Sequence, residues 1–248
     1  MADPSRFAPG ATALVVGAGG GLGAAFVRAL KADPAFATVL ATAREPDRVA
    51  DADGAIALDV LDDDSIDAAA RALRSRTDRL DLVLYCPGLL HDEAHGVAPE
   101  KRLADLRRDA LERVFAVNAF GPVLLARAVA DLLPRRERSV WGNLSARVGS
   151  IGDDRLGGWY AYRGSKAAQN LFTRNLSIEL GRRHRGLVCV ALHPGTVATG
   201  LSEPFRPAEG RGVVSPDTAA GNLLSVLAGL GPEQSGRFYA WDGEEIPW

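Results

Sequence analysis

Tyr162 and Lys166 stand four residues apart in the run WYAYRGSKAAQNLF. Positions i and i+4 share one face of an α-helix, so a phenol and an ammonium placed there point into the same space. A free phenol titrates near pH ~10 and exchanges protons poorly at neutral pH. A neighbouring cation stabilises the phenolate and lowers that value. The pair is therefore a candidate proton-transfer device. Tyr/Lys pairs also occur on ordinary exposed helices, so its meaning depends on what surrounds it.

A second cluster is rich in glycine. Gly17, Gly21 and Gly23 lie in GAGGGLG, directly after the apolar run ATALVV at 11–16 and before a helical pattern with Phe26, Val27 and Leu30 on one side. Strand, glycine turn and helix open a nucleotide-binding βαβ unit. Glycine lets the backbone approach a pyrophosphate, and the helix start offers free N–H groups. The spacing is G-x-x-x-G-x-G; the common G-x-G-x-x-G is matched only by forcing Gly19, Gly21 and Ala24. No Lys-Ser/Thr follows, which excludes a phosphate-hydrolysing P-loop. The second strand ends at Arg44, with Arg48 four residues on and no acid at the strand end. An acid there would bind a ribose 2′-hydroxyl, whereas a base accommodates a 2′-phosphate, so the arginines favour NADP(H), with NAD(H) as the alternative. A solvated basic loop beside Glu45 and Asp47 is the plainer reading of the same residues.

These residues need a frame to hold them. Short apolar runs at 11–16, 37–43, 55–58, 80–86, 139–145, 187–192 and 237–243 alternate with helical patterns, among them 63–76, 109–133, 159–183 and 216–230. That alternation predicts an α/β single-domain Rossmann fold over 1–248. Its doubly wound, mostly parallel seven-stranded sheet carries helices on both faces and binds ligands at the strand C-termini. The polar segment 196–215 reads as a substrate-binding loop, with Pro204, Phe205 and Pro207 as an apolar lid.

Composition narrows the class. The 248 residues are 47% hydrophobic and 24% charged, with 29 Lys and Arg against 31 Asp and Glu for a net charge of −2. No global field favours nucleic acid or an anionic membrane. The N-terminus MADPSRFAPG has no apolar secretory core, and no uninterrupted apolar run is long enough to span a bilayer. Cys86 and Cys189 sit in apolar runs and read as buried thiols of a reducing compartment, with the cytoplasm as the expected location. His91 and His95 lack the helical His-Glu-x-x-His order of a zinc site and read as a solvated loop. His193 reads as a structural imidazole, and Trp141, Trp159, Trp241 and Trp248 as core or pocket-wall residues.

Taken together and in this order, the segments resemble the short-chain dehydrogenase/reductase family over nearly the whole chain. VGAGGGLG (16–23) resembles its glycine motif, LDV (58–60) its adenine-contacting segment and VNAFGP (117–122) the helix bearing its catalytic Asn. YAYRGSK (160–166) resembles its Tyr-x-x-x-Lys motif, and HPGTVATGLS (193–202) its nicotinamide-lining segment. Within the family, the stretch from Asn143 to Lys166 and the ending FYAWDGEEIPW look most like C-factor cell-signalling proteins and sniffer-type carbonyl reductases.

The resemblance implies an NADP(H)-dependent oxidoreductase passing a hydride between nicotinamide and a small carbonyl or secondary alcohol. Tyr162, Lys166 and Asn118 would be catalytic. Gly17, Gly21, Leu22, Gly23, Arg44, Arg48, Asp59, Val60, Gly88, Asn118, Tyr162, Lys166, Pro194, Gly195 and Val197 would hold the cofactor. No metal is implied, and dimers or tetramers through the two long helices are the expected assemblies. Two departures stand out. Tyr85-Cys86-Pro87-Gly88 replaces the usual Asn-x-Ala-Gly, and Ala146 occupies the serine position. Ser145, one residue earlier, is the candidate catalytic hydroxyl, with Ser150 or an ordered water as alternatives. A dinucleotide-binding signalling protein with little turnover is the rival reading.

Overall fold

The computed structural model describes residues 7–205 and 212–248. Its main sheet contains β1 (Ala11–Val16), β2 (Phe36–Ala43), β3 (Gly54–Ala57), β4 (Leu82–Tyr85), β5 (Ser139–Leu144), β6 (Leu187–His193) and β9 (Phe238–Ala240). They lie in the order β3-β2-β1-β4-β5-β6-β9, and every pairing is parallel. The chain leaves β1 toward β2 on one side and returns to β4 on the other, so the order reverses between β1 and β4. A crevice opens there at the strand C-termini.

Side chains alternate across the sheet, and each face buries its own layer. On one face, Val15, Leu84, Val140 and Val190 pack against Phe26 and Leu30 of α1 (Gly21–Ala32) and Leu223 and Leu227 of α6 (Pro216–Ala228). On the other, Leu14, Val83, Tyr85 and Trp141 meet Ile66 and Leu73 of α2 (Asp63–Arg74) and Leu125 and Val129 of α4 (Gly121–Val129). The long α5 (Tyr160–Gly181) covers β5 and β6 on this second face.

Three expected elements differ in detail. The single helix over 109–133 is α3 (Arg108–Phe115), a π-helical turn (Ala116–Phe120) and then α4. Pro122 explains the interruption, because it has no N–H to give the Asn118 carbonyl and its ring crowds that oxygen. By length and composition this 25-residue stretch, Arg108–Leu132, could cross a bilayer. Here Val114, Leu125 and Val129 are buried, and the stretch packs against α2 and α5. The segment 196–215 is not wholly irregular: β7 (Thr196–Val197) and β8 (Val213–Val214) form a small parallel ladder. Of the lid residues, Pro207 lies outside the described residues. Lastly, Trp241 and Trp248 are not core. They are 45% and 41% exposed, with Trp248 stacked on Phe238.

Candidate active site

The glycine turn joins β1 to α1. At Gly23 a Cβ would lie 2.3 Å from the Gly17 carbonyl oxygen, so only glycine lets the helix start this close to the strand. Gly17 has φ +78° and backs onto the ring of Pro87. No acidic residue lies in the first turn of α1 and no side chain caps it, which leaves its N–H groups and positive dipole end for an anion. Two cavities meet at this turn and share Gly17, Gly20, Pro87 and Gly88.

One, of about 320 Å³, runs over the ends of β2 and β3 and is lined by Gly19, Arg44, Arg48, Asp59, Val60 and Arg113. Arg44 is exposed on its wall, whereas Arg48 is paired with Glu45 at 2.8 Å. Asp59 accepts the Leu61 N–H with its carboxylate at 3.0 Å, which braces the segment that carries Val60.

The other, of about 570 Å³, runs to α5. It brings together Gly21, Leu22, Gly23, Ser145, Ala146, Tyr162, Lys166, His193, Pro194, Gly195 and Val197. Asn118 stands behind it on the π turn. Its side chain accepts the Leu89 N–H at 2.7 Å and donates to the Leu89 carbonyl and to Ser165 Oγ, each at 2.9 Å. It thereby fastens the Pro87–Leu89 segment to α5. Gly88 lies next to both groups, since a Cβ there would be 3.9 Å from Asn118 Oδ1 and from Lys166 Nζ.

Lys166 is buried. Its ammonium donates to the Leu144 carbonyl (2.7 Å) and to Gln169 Oε1 (3.0 Å), and lies 5.9 Å from the centre of the Tyr162 ring. Burial lowers its pKa to about 7. Burial also raises the Tyr162 phenol to about 12. This reverses the shift expected from the Tyr-x-x-x-Lys spacing. The lysine sits against the ring and gives its protons to other oxygens, so desolvation outweighs any attraction to the phenolate.

Ser145 does not present a free hydroxyl. Its Oγ donates to Asn170 Oδ1 at 2.6 Å. Ser150 hydrogen-bonds the Pro247 carbonyl and lies outside the cavity lining. His91 contacts the Gly200 carbonyl at 3.1 Å, and His95 contacts Asp92 at 2.7 Å. Among the described residues no cluster of His, Cys, Asp and Glu could hold a metal ion. Both cysteines are free thiols.

Trp159, expected as a core or pocket-wall residue, lines the cavity, and Glu100 is a contributor that the sequence does not signal. Trp159 has φ 49°, an uncommon left-handed conformation for a bulky residue. Its N–H donates to the Glu100 carbonyl at 2.6 Å, and its ring packs edge-on against Tyr162 and Phe205. Glu100 is buried, and its carboxylate also accepts the Ala161 N–H at 3.2 Å, so it caps α5. The signal is tertiary: Glu100 precedes Ala161 by 61 positions.

The short chain dehydrogenase family model matches residues 11–210. The chain belongs to that family. Among its relatives, the C-signal protein of Myxococcus xanthus is 38% identical over 146 residues, 59% of this chain and 83% of that one. The NADPH-bound carbonyl reductase from chicken fatty liver superposes with a TM-score of 0.84 at 29% identity, covering 98% of this chain and 96% of its own. The carbonyl reductase Sniffer of D. melanogaster gives 0.82 at 25% identity, covering 96% and 99%. As a short-chain dehydrogenase, the chain is an oxidoreductase, and the likeness to C-signal and to the sniffer-type reductases bears out the finer resemblance in its motifs.

Proposed function

We propose that this short-chain dehydrogenase reduces a small carbonyl compound with NADPH. The observation that carries the reading is the joined cleft, with Arg44 and the free N-terminus of α1 at one end and Tyr162 above a buried Lys166 at the other. The glycine cradle, which a Cβ at Gly23 would fill, fits a dinucleotide pyrophosphate. Arg44 would meet the 2′-phosphate with Arg48 beside it, Asp59 and Val60 would flank the adenine, and Gly88 the adenine ribose. Pro194, Gly195 and Val197 would face the nicotinamide. The chicken enzyme binds NADPH in the same fold.

When bound, the reduced nicotinamide supplies a hydride to the carbonyl carbon. The protein's own groups handle the oxygen. Tyr162 gives its phenolic proton to that oxygen as the C–O double bond becomes a single bond, so the product is the alcohol. Burial keeps the phenol protonated at neutral pH, which suits an acid acting in the direction of reduction. Lys166, 5.9 Å from the centre of the Tyr162 ring, would in its protonated form offset the developing phenolate, and Asn118 holds the adjoining loop and helix in place. Residues 196–205 and 212–215 would form one wall for the substrate.

A panel of aldehydes and ketones with NADPH, followed at the nicotinamide absorbance, tests the reading. Turnover is expected. Tight NADPH binding without turnover of any carbonyl would instead support a regulatory role like the one the C-signal likeness raises.

A further inference from the structure

His193 is a half-buried ring in the cleft whose Nδ1, itself shielded from solvent, makes no hydrogen bond. It ends β6 and lines the same cavity as Tyr162 and Lys166. Leu144 pairs with Leu192 in parallel register, so Ser145 and His193 follow side by side and share a face of the sheet. That is the face of α5, where Ser145 reaches Asn170 and Lys166 reaches the Leu144 carbonyl.

The serines, Asn170 and Lys166 around it are engaged. Asn170 Nδ2 donates to the Gly149 carbonyl at 3.3 Å, which turns its oxygen toward Ser145 and makes the serine hydroxyl the donor. Ser202 donates to the carbonyls of Val197 and Thr199. Lys166 donates to Leu144 and Gln169. The methyl of Thr199 packs over Gly21 at the dinucleotide end. Ala146 has no hydroxyl. A reacting carbonyl oxygen beside Tyr162 would therefore find no second donor among the serines.

The imidazole has one to give. A buried N–H without an acceptor is rarer than an under-satisfied acceptor, so the proton belongs on Nε2 and Nδ1 keeps a bare lone pair. Burial first, then the charge of Arg147, push its pKa down to about 4, with Asp242 opposing, so the ring is neutral at physiological pH.

We propose that His193 is a further catalytic residue, whose Nε2–H donates to the substrate oxygen that Tyr162 protonates and so stands in for the serine this chain lacks. The inference rests on the carbonyl-reductase reading above. His193 transfers no proton; it stabilises the charge that builds on the oxygen while hydride reaches carbon and Tyr162 supplies the proton.

The test uses the carbonyl from the panel that turns over fastest. His193→Phe should lower kcat by roughly 10²-fold, the scale of one lost oxyanion donor, with the Kd for NADPH unchanged. His193→Gln, which keeps an N–H at similar reach, should retain much of the rate. Adding Ala146→Ser to His193→Phe should recover activity. Full kcat in His193→Phe would overturn the inference while leaving the functional reading intact. So would equal losses in the Phe and Gln variants without rescue by serine. Nitrogen NMR of the wild-type ring at neutral pH gives an independent check: a protonated Nε2 and bare Nδ1 are expected, and a protonated Nδ1 or a charged ring overturns the inference. A wild-type enzyme that reduces no carbonyl overturns both.

Discussion

Burial acts in opposite directions on the two partners one turn apart on α5. It holds Tyr162 neutral, with a pKa of about 12, and makes Lys166 easy to discharge, with a pKa of about 7. In the unfolded chain the lysine keeps its proton to about pH 10.4. Between pH 7 and 10 the unfolded state therefore binds more protons than the folded one, and stability rises with pH across that window. Below pH 7 the folded protein carries the full penalty of a charged buried lysine. Lys166→Met should flatten this slope in denaturant titrations across pH 6 to 10; an unchanged slope would mean the ammonium is well solvated. At the far end of the cleft, Arg44→Ala should weaken NADPH far more than NADH, measured by nicotinamide fluorescence. Equal losses would remove the argument for the 2′-phosphate. Both pairings began as spacings in the sequence, and Tyr162, Lys166 and Arg44 were legible there because helical periodicity and strand ends are local. The sign of the Tyr162 shift was not, because it depends on how deeply α5 is buried and on which oxygens Lys166 meets.

Among the elements, the π turn between α3 and α4 decides where Asn118 points. Pro122 frees a backbone carbonyl and breaks the helical ladder, and the Tyr85 hydroxyl at the end of β4 donates to the Val117 carbonyl at 2.8 Å. Tyr85 thus occupies the place where the sequence departs from Asn-x-Ala-Gly, and it braces the turn from below. A Cβ at Gly121 would lie 2.2 Å from that hydroxyl, so the glycine is required for the approach. Tyr85→Phe removes the donor to the half-buried Val117 carbonyl and should cost about 1 kcal/mol. That corresponds to a Tm lower by roughly 2–4 °C per kcal/mol for a chain of this size, read by calorimetry, together with a fall in kcat as Asn118 loosens. An unchanged Tm would show that the turn holds without it. The helix pattern at 109–133 is visible in the sequence, but its break is masked. Pro122 was the available signal, and it was outweighed by the apolar periodicity on either side. Glu100 as the cap of α5 had no local signal at all.

At the scale of the whole molecule, the order β3-β2-β1-β4-β5-β6-β9 brings the glycine turn, Arg44, Pro87–Gly88 and Tyr162 to one rim. The alternation of apolar runs and helical patterns implied this arrangement, because parallel strands joined by helices put every strand end on the same side. The exposed apolar side chains Phe120, Leu171 and Ile178 lie on the π turn and α5. If copies pair through these helices, light scattering should give a dimer or tetramer mass, and Leu171→Glu should shift it to the monomer; a monomeric wild type would contradict that assembly. The central claim is that the phenol of Tyr162 protonates a carbonyl beside NADPH. Its most direct test is Tyr162→Phe, measured for NADPH binding and for carbonyl turnover in parallel. The account predicts that the cofactor still binds with wild-type affinity while turnover disappears. Full turnover in the variant would contradict it.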